Sequence, residues 1–341
     1  MLRPNELFEL ISAFYNLKVK CVDGLNSDND AFKITDISDV KYFLKIYSKN
    51  NGGDINPGEN VYHTYEQLLI KAELLARLTD SDLKTAAPIK NAAGDYITTY
   101  TPDNAEPLYI LLTEFVDGLS SEQPQTLTPE LAYMAGEAAA RLHLVSADKL
   151  LPLAVRRPHK RQDYVRKILD RLAAGLETGI LTAAQYNMLC ECGGVIIDCM
   201  NRLDADPKAN AGLVHTDIRN GNIVYAEGRG VLIDFSRCVY SYYLYDLGEM
   251  CFHGNFGGAD PGLQKAILRG YNSVKPLTAD HLFIMQAMFA MFILMVIAES
   301  INDAHSPWRD AVLKWFASEV HPGLVSGGGW LGPEFANIIG N

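Results

Sequence analysis

The sequence predicts an α+β fold in two lobes: an N-terminal lobe built on an antiparallel β-sheet, residues 1–116, and a larger helical lobe, residues 117–341. Three observations lead there. Strand-like segments separated by turn-rich stretches crowd the chain up to residue 120. Helical periodicity dominates from residue 128 onward. One β-rich island, Leu213 to Val239, interrupts the helical part. The break at Val116-Asp117-Gly118 marks the change from one regime to the other.

Within the first part, Leu7 to Tyr15 reads as a short amphipathic helix, and Val19 to Val22, Ala31 to Thr35 and Lys41 to Tyr47 as strands. A polar loop, Ser48 to Asn60, precedes a helical pattern from Val61 to Leu78, with Leu68, Leu69, Leu74, Leu75 and Leu78 on one broad face. Asp95 to Tyr100 and Leu108 to Phe115 complete the strands. In the second part, Thr128 followed by Pro129 opens a helix to Val145, the proline fitting a first turn that needs no N–H. Further helices are expected at Asp163 to Leu172, Thr182 to Leu203, Pro261 to Tyr271, His281 to Ser300 and Pro307 to Val320.

Composition narrows the function classes. With 341 residues, 48% hydrophobic and 21% charged, the chain is long enough for one large domain or two fused ones. Its 41 acidic residues against 30 basic ones give a formal net charge of −11, which argues against a general nucleic-acid binder; such proteins need a basic face to neutralise phosphates. The six cysteines have no zinc-binding spacing, and Cys192 and Cys199, seven apart in an expected helix, read as reduced core thiols. The segment MLRPNELFELI lacks a basic run leading into an apolar one, so a cytoplasmic protein without a signal peptide is expected. The apolar run Phe283 to Ala298 is shorter than the ~20 residues of a membrane span and carries Gln286. Four of the nine methionines lie there, which suits a buried central helix and no membrane. Nothing in the sequence specifies an oligomeric state.

The chemistry lies in the island: Leu213-Val-His-Thr-Asp-Ile-Arg-Asn-Gly-Asn-Ile-Val-Tyr225, a turn at 226–230, then Val231-Leu-Ile-Asp-Phe-Ser236. Two short apolar strands flank a polar loop, and the second delivers a lone aspartate at its end. Phosphoryl transfer asks for a carboxylate to orient the attacking hydroxyl and for hard oxygen ligands that hold Mg2+ against the phosphates. Asp217, Asn222 and Asp234 supply that set.

His215-x-Asp217-x4-Asn222 followed by Ile233-Asp234-Phe235 resembles the paired signatures of protein kinases. Without a glycine after Phe235, and with the following Tyr242-Tyr-Leu-Tyr-Asp-Leu-Gly248, it is closer to the aminoglycoside phosphotransferase superfamily. That superfamily includes choline, homoserine and hydroxylysine kinases and a bacterial stress-response Ser/Thr kinase. The resemblance implies a bilobal, protein-kinase-like fold and the cofactors ATP and Mg2+. It implies Asp217 as catalytic base, Asn222 and Asp234 as Mg2+ ligands, and His215 and Asp246 as structural braces of the loop. Arg219 stands where protein kinases place a lysine near the transferred phosphate; a solvated arginine at a loop tip is the alternative reading.

By the same resemblance Lys45, alone among apolar neighbours in Tyr42-Phe-Leu-Lys-Ile-Tyr47, reaches the α- and β-phosphates. Its partner should be a glutamate on the following helix. The position expected for it holds Lys71, and of Glu66 and Glu73 the first is favoured as nearer the helix start. The segment Gly24 to Asp30 lacks a glycine-rich phosphate loop; Ser27 either contacts phosphate oxygens or belongs to a polar hairpin turn. Leu111 to Gly118 resembles the hinge, where Glu114 and Val116 would read the adenine edge through their main chains. His143 is expected in the core. The acceptor is expected to be a hydroxyl of a small molecule, an amino alcohol or amino sugar, bound by groups of the helical part such as Asp163, Asp198, Glu249 or His253. A Ser/Thr protein kinase and a nucleotide-binding pseudokinase are the alternatives.

Overall fold

A computed structural model describes all residues except 1–3, 26–30, 49–54, 56–59, 82, 104, 121–126, 255, 259, 333–334, 336–337 and 339–341. The chain divides into two compact units: Met1–Gly53, Gly58–Gly118 and Ile233–Ser236 form the first, and Asp54–Pro57, Leu119–Leu232 and Arg237–Asn341 the second. The four residues that carry Asp234 thus belong with the N-terminal strands, although they follow directly on a strand of the second unit.

The first unit runs α1 (Pro4–Tyr15), β1 (Val19–Gly24), β2 (Ala31–Asp36), β3 (Lys41–Tyr47), α2 (Tyr65–Thr79), β4 (Pro88–Ile89), β5 (Ile97–Tyr100) and β6 (Leu108–Glu114). Its strands form one antiparallel sheet in the order β1-β2-β3-β6-β4, with β5 also paired to β6. Strand β4 is only two residues long, too short to show the alternation that marks a strand in sequence. Because side chains alternate along a strand, Leu44 and Ile46 of β3 face one way and Lys45 and Tyr47 the other. Leu44 and Ile46 join Leu7, Leu10 and Ile11 of α1, and Ile34, Ile110 and Leu112, in one apolar core. Full burial of such side chains stabilises by roughly 1.5–3 kcal/mol each. The opposite face receives α2. That helix starts at Tyr65, later than the apolar pattern suggests, because Thr64 is extended and its hydroxyl accepts the Gln67 N–H at 3.2 Å.

The second unit is mostly helical: β7 (Leu119–Ser120), α3 (Pro129–Val145), α4 (Leu151–Ala154), β8 (His159–Lys160), α5 (Gln162–Glu177), α6 (Ala183–Leu203), α7 (Pro207–Asn210), β9 (Ala211–Val214), β10 (Ile223–Ala226), β11 (Arg229–Leu232), β12 (Val239–Tyr242), α8 (Leu244–Phe252), α9 (Pro261–Val274), α10 (Ala279–Glu299), α11 (Pro307–Trp315) and α12 (His321–Val325). Strands β10 and β11 form a hairpin closed by Glu227 and Gly228, both at positive φ, with β7 added to β10. Strand β12 lies between β9, antiparallel, and β8, parallel. Helices α3 and α9 cross at two glycines: a Cβ on Gly136 would stand 2.1 Å from the Ile267 carbonyl oxygen, and one on Gly270 2.0 Å from that of Tyr133. Only hydrogen side chains permit so close an approach.

Helix α10 is long and apolar enough to cross a membrane, yet 72% of its most apolar window is buried inside the fold, against α5, α6 and α8. Its one polar interruption is used. Gln286 is buried, donates to the Leu282 carbonyl at 2.7 Å, and accepts the N–H groups of Trp330 and Leu331 at 2.6 and 2.9 Å. All six cysteines are free thiols. Burial pushes Cys192 up to about 12 and Cys199 up to about 11, as befits inert core thiols on α6.

Candidate active site

In the second unit the polar loop is set by one buried carboxylate. Strand β9 ends at Val214, and Thr216 then takes φ 59°, a left-handed conformation that is strained for a β-branched residue. Asp246, fully buried on α8, holds it there. Its Oδ2 accepts the His215 N–H at 2.8 Å and its Oδ1 the Thr216 N–H at 2.7 Å, while the Thr216 hydroxyl donates to the Arg237 carbonyl at 2.8 Å. His143 of α3 stands 3.0 Å from Asp246 Oδ2 through Nε2, and 2.8 Å from the Tyr271 hydroxyl through Nδ1. Burial keeps His143 below its usual value and hence neutral, so Nε2–H donates to the carboxylate and Nδ1 accepts the phenol proton. His143 is therefore a core residue, and His215, also fully buried, belongs to the same brace.

The turn delivers Asp217, half-buried, into a short polar loop. Its Oδ1 accepts from Arg219 Nε and its Oδ2 from Asn222 Nδ2, both at 2.8 Å; Asn222 also donates to the Asp217 carbonyl at 2.9 Å. Asn222 is buried and Arg219 exposed. With its NH2 turned onto Asp217, the Asn222 amide points its oxygen the other way. Asp217, Arg219 and Asn222 are thus one hydrogen-bonded group.

Glu249 follows Asp246 by three residues on α8, hence on the same helix face. It is 5% exposed, and its Oε2 is buried without a hydrogen-bond partner. Burial holds its carboxyl well above the usual range; Asp217 and Asp246 add to this, and Lys160 and Arg237 oppose it. His253 also faces Asp217 and Arg219: burial lowers its value, Asp217 raises it and Arg219 lowers it further. Of the four acceptor-pocket candidates, Glu249 and His253 therefore gather around Asp217, whereas Asp163 and Asp198 are exposed, Asp163 paired with Arg166. A carboxyl whose folded value is raised contributes stability that is complete below the unfolded value of 4.5 and is lost as pH climbs through the folded one. Glu249→Gln removes that titration. Wild type should therefore lose stability relative to Glu249→Gln as pH is raised through and above the unfolded value of 4.5. A melting-temperature difference that stays constant over this range would contradict it.

In the first unit the sheet face that carries Lys45 meets Asp234. Lys45, 4% exposed, donates to Asp234 Oδ2 at 2.7 Å and to Ser236 Oγ at 3.3 Å. Asp234 adopts φ 58°, which aspartate tolerates better than most residues, and its Oδ1 accepts the Ser236 hydroxyl at 2.5 Å. Desolvation would raise the Asp234 carboxyl; the ammonium groups of Lys45 and Lys71 and the hydrogen bonds from Lys45 and Ser236 outweigh it and hold the group well below the carboxylate range. Glu66 lies exposed in the first turn of α2 and Glu73 is half-buried; the buried charged residue of that helix is Lys71. Glu114 ends β6 with its N–H donated to the Ala87 carbonyl at 2.8 Å, and Val116 is half-buried beyond the strand. Ser27 lies outside the described residues. The roles of Ser236 and Tyr47 were not read from the sequence. The signal was there for Ser236: it replaces a glycine in the signature and brings a hydroxyl next to the aspartate.

Residues 23–282 match the sequence profile of the phosphotransferase enzyme family. The chain belongs to that family. Homoserine kinase of Mesorhizobium japonicum is 26% identical over 245 residues, 65% of this chain and 67% of that one. Among solved structures, an amicoumacin kinase in complex with AMP-PNP and Ca2+ superposes with a TM-score of 0.70 at 16% identity, over 99% of this chain and 97% of the other. A microcompartment-associated aminopropanol kinase does so with a TM-score of 0.70 at 20% identity, over 95% and 98%. At these identities the structural likeness speaks for the fold, which is the α+β kinase-like fold expected from the sequence. The protein is a kinase of the phosphotransferase family.

Proposed function

We propose that this phosphotransferase moves the γ-phosphoryl group of ATP to a hydroxyl of a small amine-bearing molecule, an amino alcohol or amino sugar, in a Mg2+-dependent reaction. The observation that carries the reading is Asp217, delivered by a clamped left-handed turn with Arg219 and Asn222 on its two oxygens. The acceptor oxygen bonds to the γ-phosphorus as the bond to the β-bridging oxygen breaks, ADP departs, and Asp217 takes the hydroxyl proton. Arg219 offsets charge on the transferred group. Lys45 holds the α- and β-phosphates, with Ser27 assigned to further phosphate contacts and Glu66 to pairing with Lys45. Glu114 and Val116 are assigned to the adenine edge; with the Glu114 N–H already donated to Ala87, Val116 is the better placed of the two.

The donor set suits Mg2+. Asp234 is held ionised, and Asn222 directs a hard amide oxygen away from Asp217. When bound, the ion neutralises charge developing on the phosphates. The amine preference is supported by the net charge of −11 and by relatives named for homoserine and aminopropanol. We assign nucleotide binding to residues 1–116, catalysis and acceptor binding to 117–341, and the protein to the cytoplasm, where six free thiols persist.

An ATP-consumption screen over amino alcohols, aminoglycosides and a generic protein substrate tests the proposal. Turnover with a small amine is expected. Turnover with the protein substrate alone would favour a Ser/Thr protein kinase, and nucleotide binding without any turnover a pseudokinase.

A further inference from the structure

Lys71 is a lysine where the sequence pattern calls for a carboxylate, and the carboxylate whose charge it feels, Asp234, is already paired with Lys45. It is 3% exposed, in the middle of α2, facing the same side of the sheet as Lys45 and Tyr47. Its Nζ donates to the Tyr47 hydroxyl and, at 3.4 Å, to Ser236 Oγ, and it lies 4.4 Å from the centroid of the Tyr47 ring. These partners are neutral. Among the described residues no carboxylate stands within ion-pair distance of Lys71. Ser236 Oγ is the hub of the cluster. It accepts from Lys45 at 3.3 Å and from Lys71, and gives its own proton to Asp234 Oδ1. Two ammonium groups thus converge on one hydroxyl beside one carboxylate, itself bonded to Lys45 at 2.7 Å.

A buried ammonium held by neutral oxygens and a ring face is costly, and it becomes favourable when an anion completes it. A carboxylate at this position would repel phosphate oxygens; a lysine attracts them. We propose that Lys71 is a second phosphate-binding cation of the nucleotide site, standing beside Lys45, and that the polyphosphate tail of the nucleotide supplies the negative charge that Asp234, bonded to Lys45, does not supply for both ammonium groups. This inference rests on the nucleotide reading above and adds to it a consequence: part of the charge neutralisation done by a divalent ion is built into α2. Triphosphate binding should therefore survive removal of the metal better than a site with Lys45 alone would allow.

Calorimetric titration of wild type and Lys71→Met with ATP, AMP and adenosine, in EDTA and in Mg2+, tests this. A lost charge-assisted phosphate contact is expected to weaken ATP by roughly 10- to 100-fold, more in EDTA than in Mg2+, with AMP affected less and adenosine unchanged. Lys71→Gln, which keeps a polar contact to Tyr47 and Ser236, is expected to repeat the pattern and serves if the methionine variant does not fold. Equal ATP affinity in wild type and variants would overturn the role of Lys71 while leaving the nucleotide reading intact. An equal loss for ATP and adenosine would make Lys71 a structural residue and overturn it too. Wild type that binds none of the three would overturn both readings.

Discussion

Asp217→Asn is expected to lower phosphoryl transfer by about 10²–10⁴-fold, the usual contribution of a general base, while ATP binding persists or tightens. The asparagine keeps the shape of the side chain and one acceptor oxygen, so the contacts from Arg219 Nε and Asn222 Nδ2 are only partly disturbed. What disappears is the basicity that takes the acceptor proton and the negative charge near the transferred phosphoryl group. With Asp217 acting on the acceptor, as proposed, the loss should appear in kcat with little change in the nucleotide dissociation constant. Folding stability should stay near wild type, since Asp217 is half-buried and the backbone turn before it is held by Asp246. Wild-type turnover in this variant would remove Asp217 from the mechanism.

Asp246→Asn is expected to damage both stability and activity. The carboxylate is fully buried and receives three donors: the N–H groups of His215 and Thr216 and the His143 ring. An asparagine sets an NH2 group against at least one of these donors, leaving buried N–H groups facing each other. Hydrogen bonds to a charged group are worth about 1.5–3 kcal/mol each, and a buried network that loses a member can lose about 3–5 kcal/mol. With the clamp weakened, Thr216 is free to leave its strained φ of 59°, and Asp217 loses its fixed presentation. Denaturant unfolding should therefore show a marked loss of stability, amide exchange at His215 and Thr216 should accelerate, and turnover should fall even where the protein is folded. Wild-type stability and exchange in this variant would contradict the assignment. Together the two variants separate a group that does chemistry from one that positions it.

Much of the fold was legible because local signals agreed with the tertiary structure. The alternation in Lys41–Tyr47 matches β3 end to end, and Thr128 before α3 with Pro129 at its first position place its start. Helix α8 was not legible as a helix. Tyr242-Tyr-Leu-Tyr favours a strand, and Gly248 weakens a helical pattern. The glycine is required by packing, since a Cβ there would lie 2.3 Å from the Met285 carbonyl of α10. The helix expected from Pro307 to Val320 stops at Trp315 and continues as a wider turn over Phe316–Val320. In the site, the spacing of Asp217, Asn222 and Asp234 was visible because each sits in a short local motif. The partners were not. Lys71 was noticed as a departure from pattern, but its convergence on Ser236 and Tyr47 joins residues 24 and 165 positions away. Likewise, Glu249 was indistinguishable from a surface acid until its burial beside Asp217 was seen.

Phosphorus NMR of the reaction with the best acceptor from the screen tests whether a phosphoryl group passes from ATP to a hydroxyl. The γ-phosphorus signal of ATP is expected to be replaced, in equal amount, by ADP and a phosphomonoester of the acceptor, with Asp217→Asn forming this product at roughly a hundredth of the wild-type rate or less. Release of inorganic phosphate alone, or a phosphoramidate signal from attack by the amine, would contradict it.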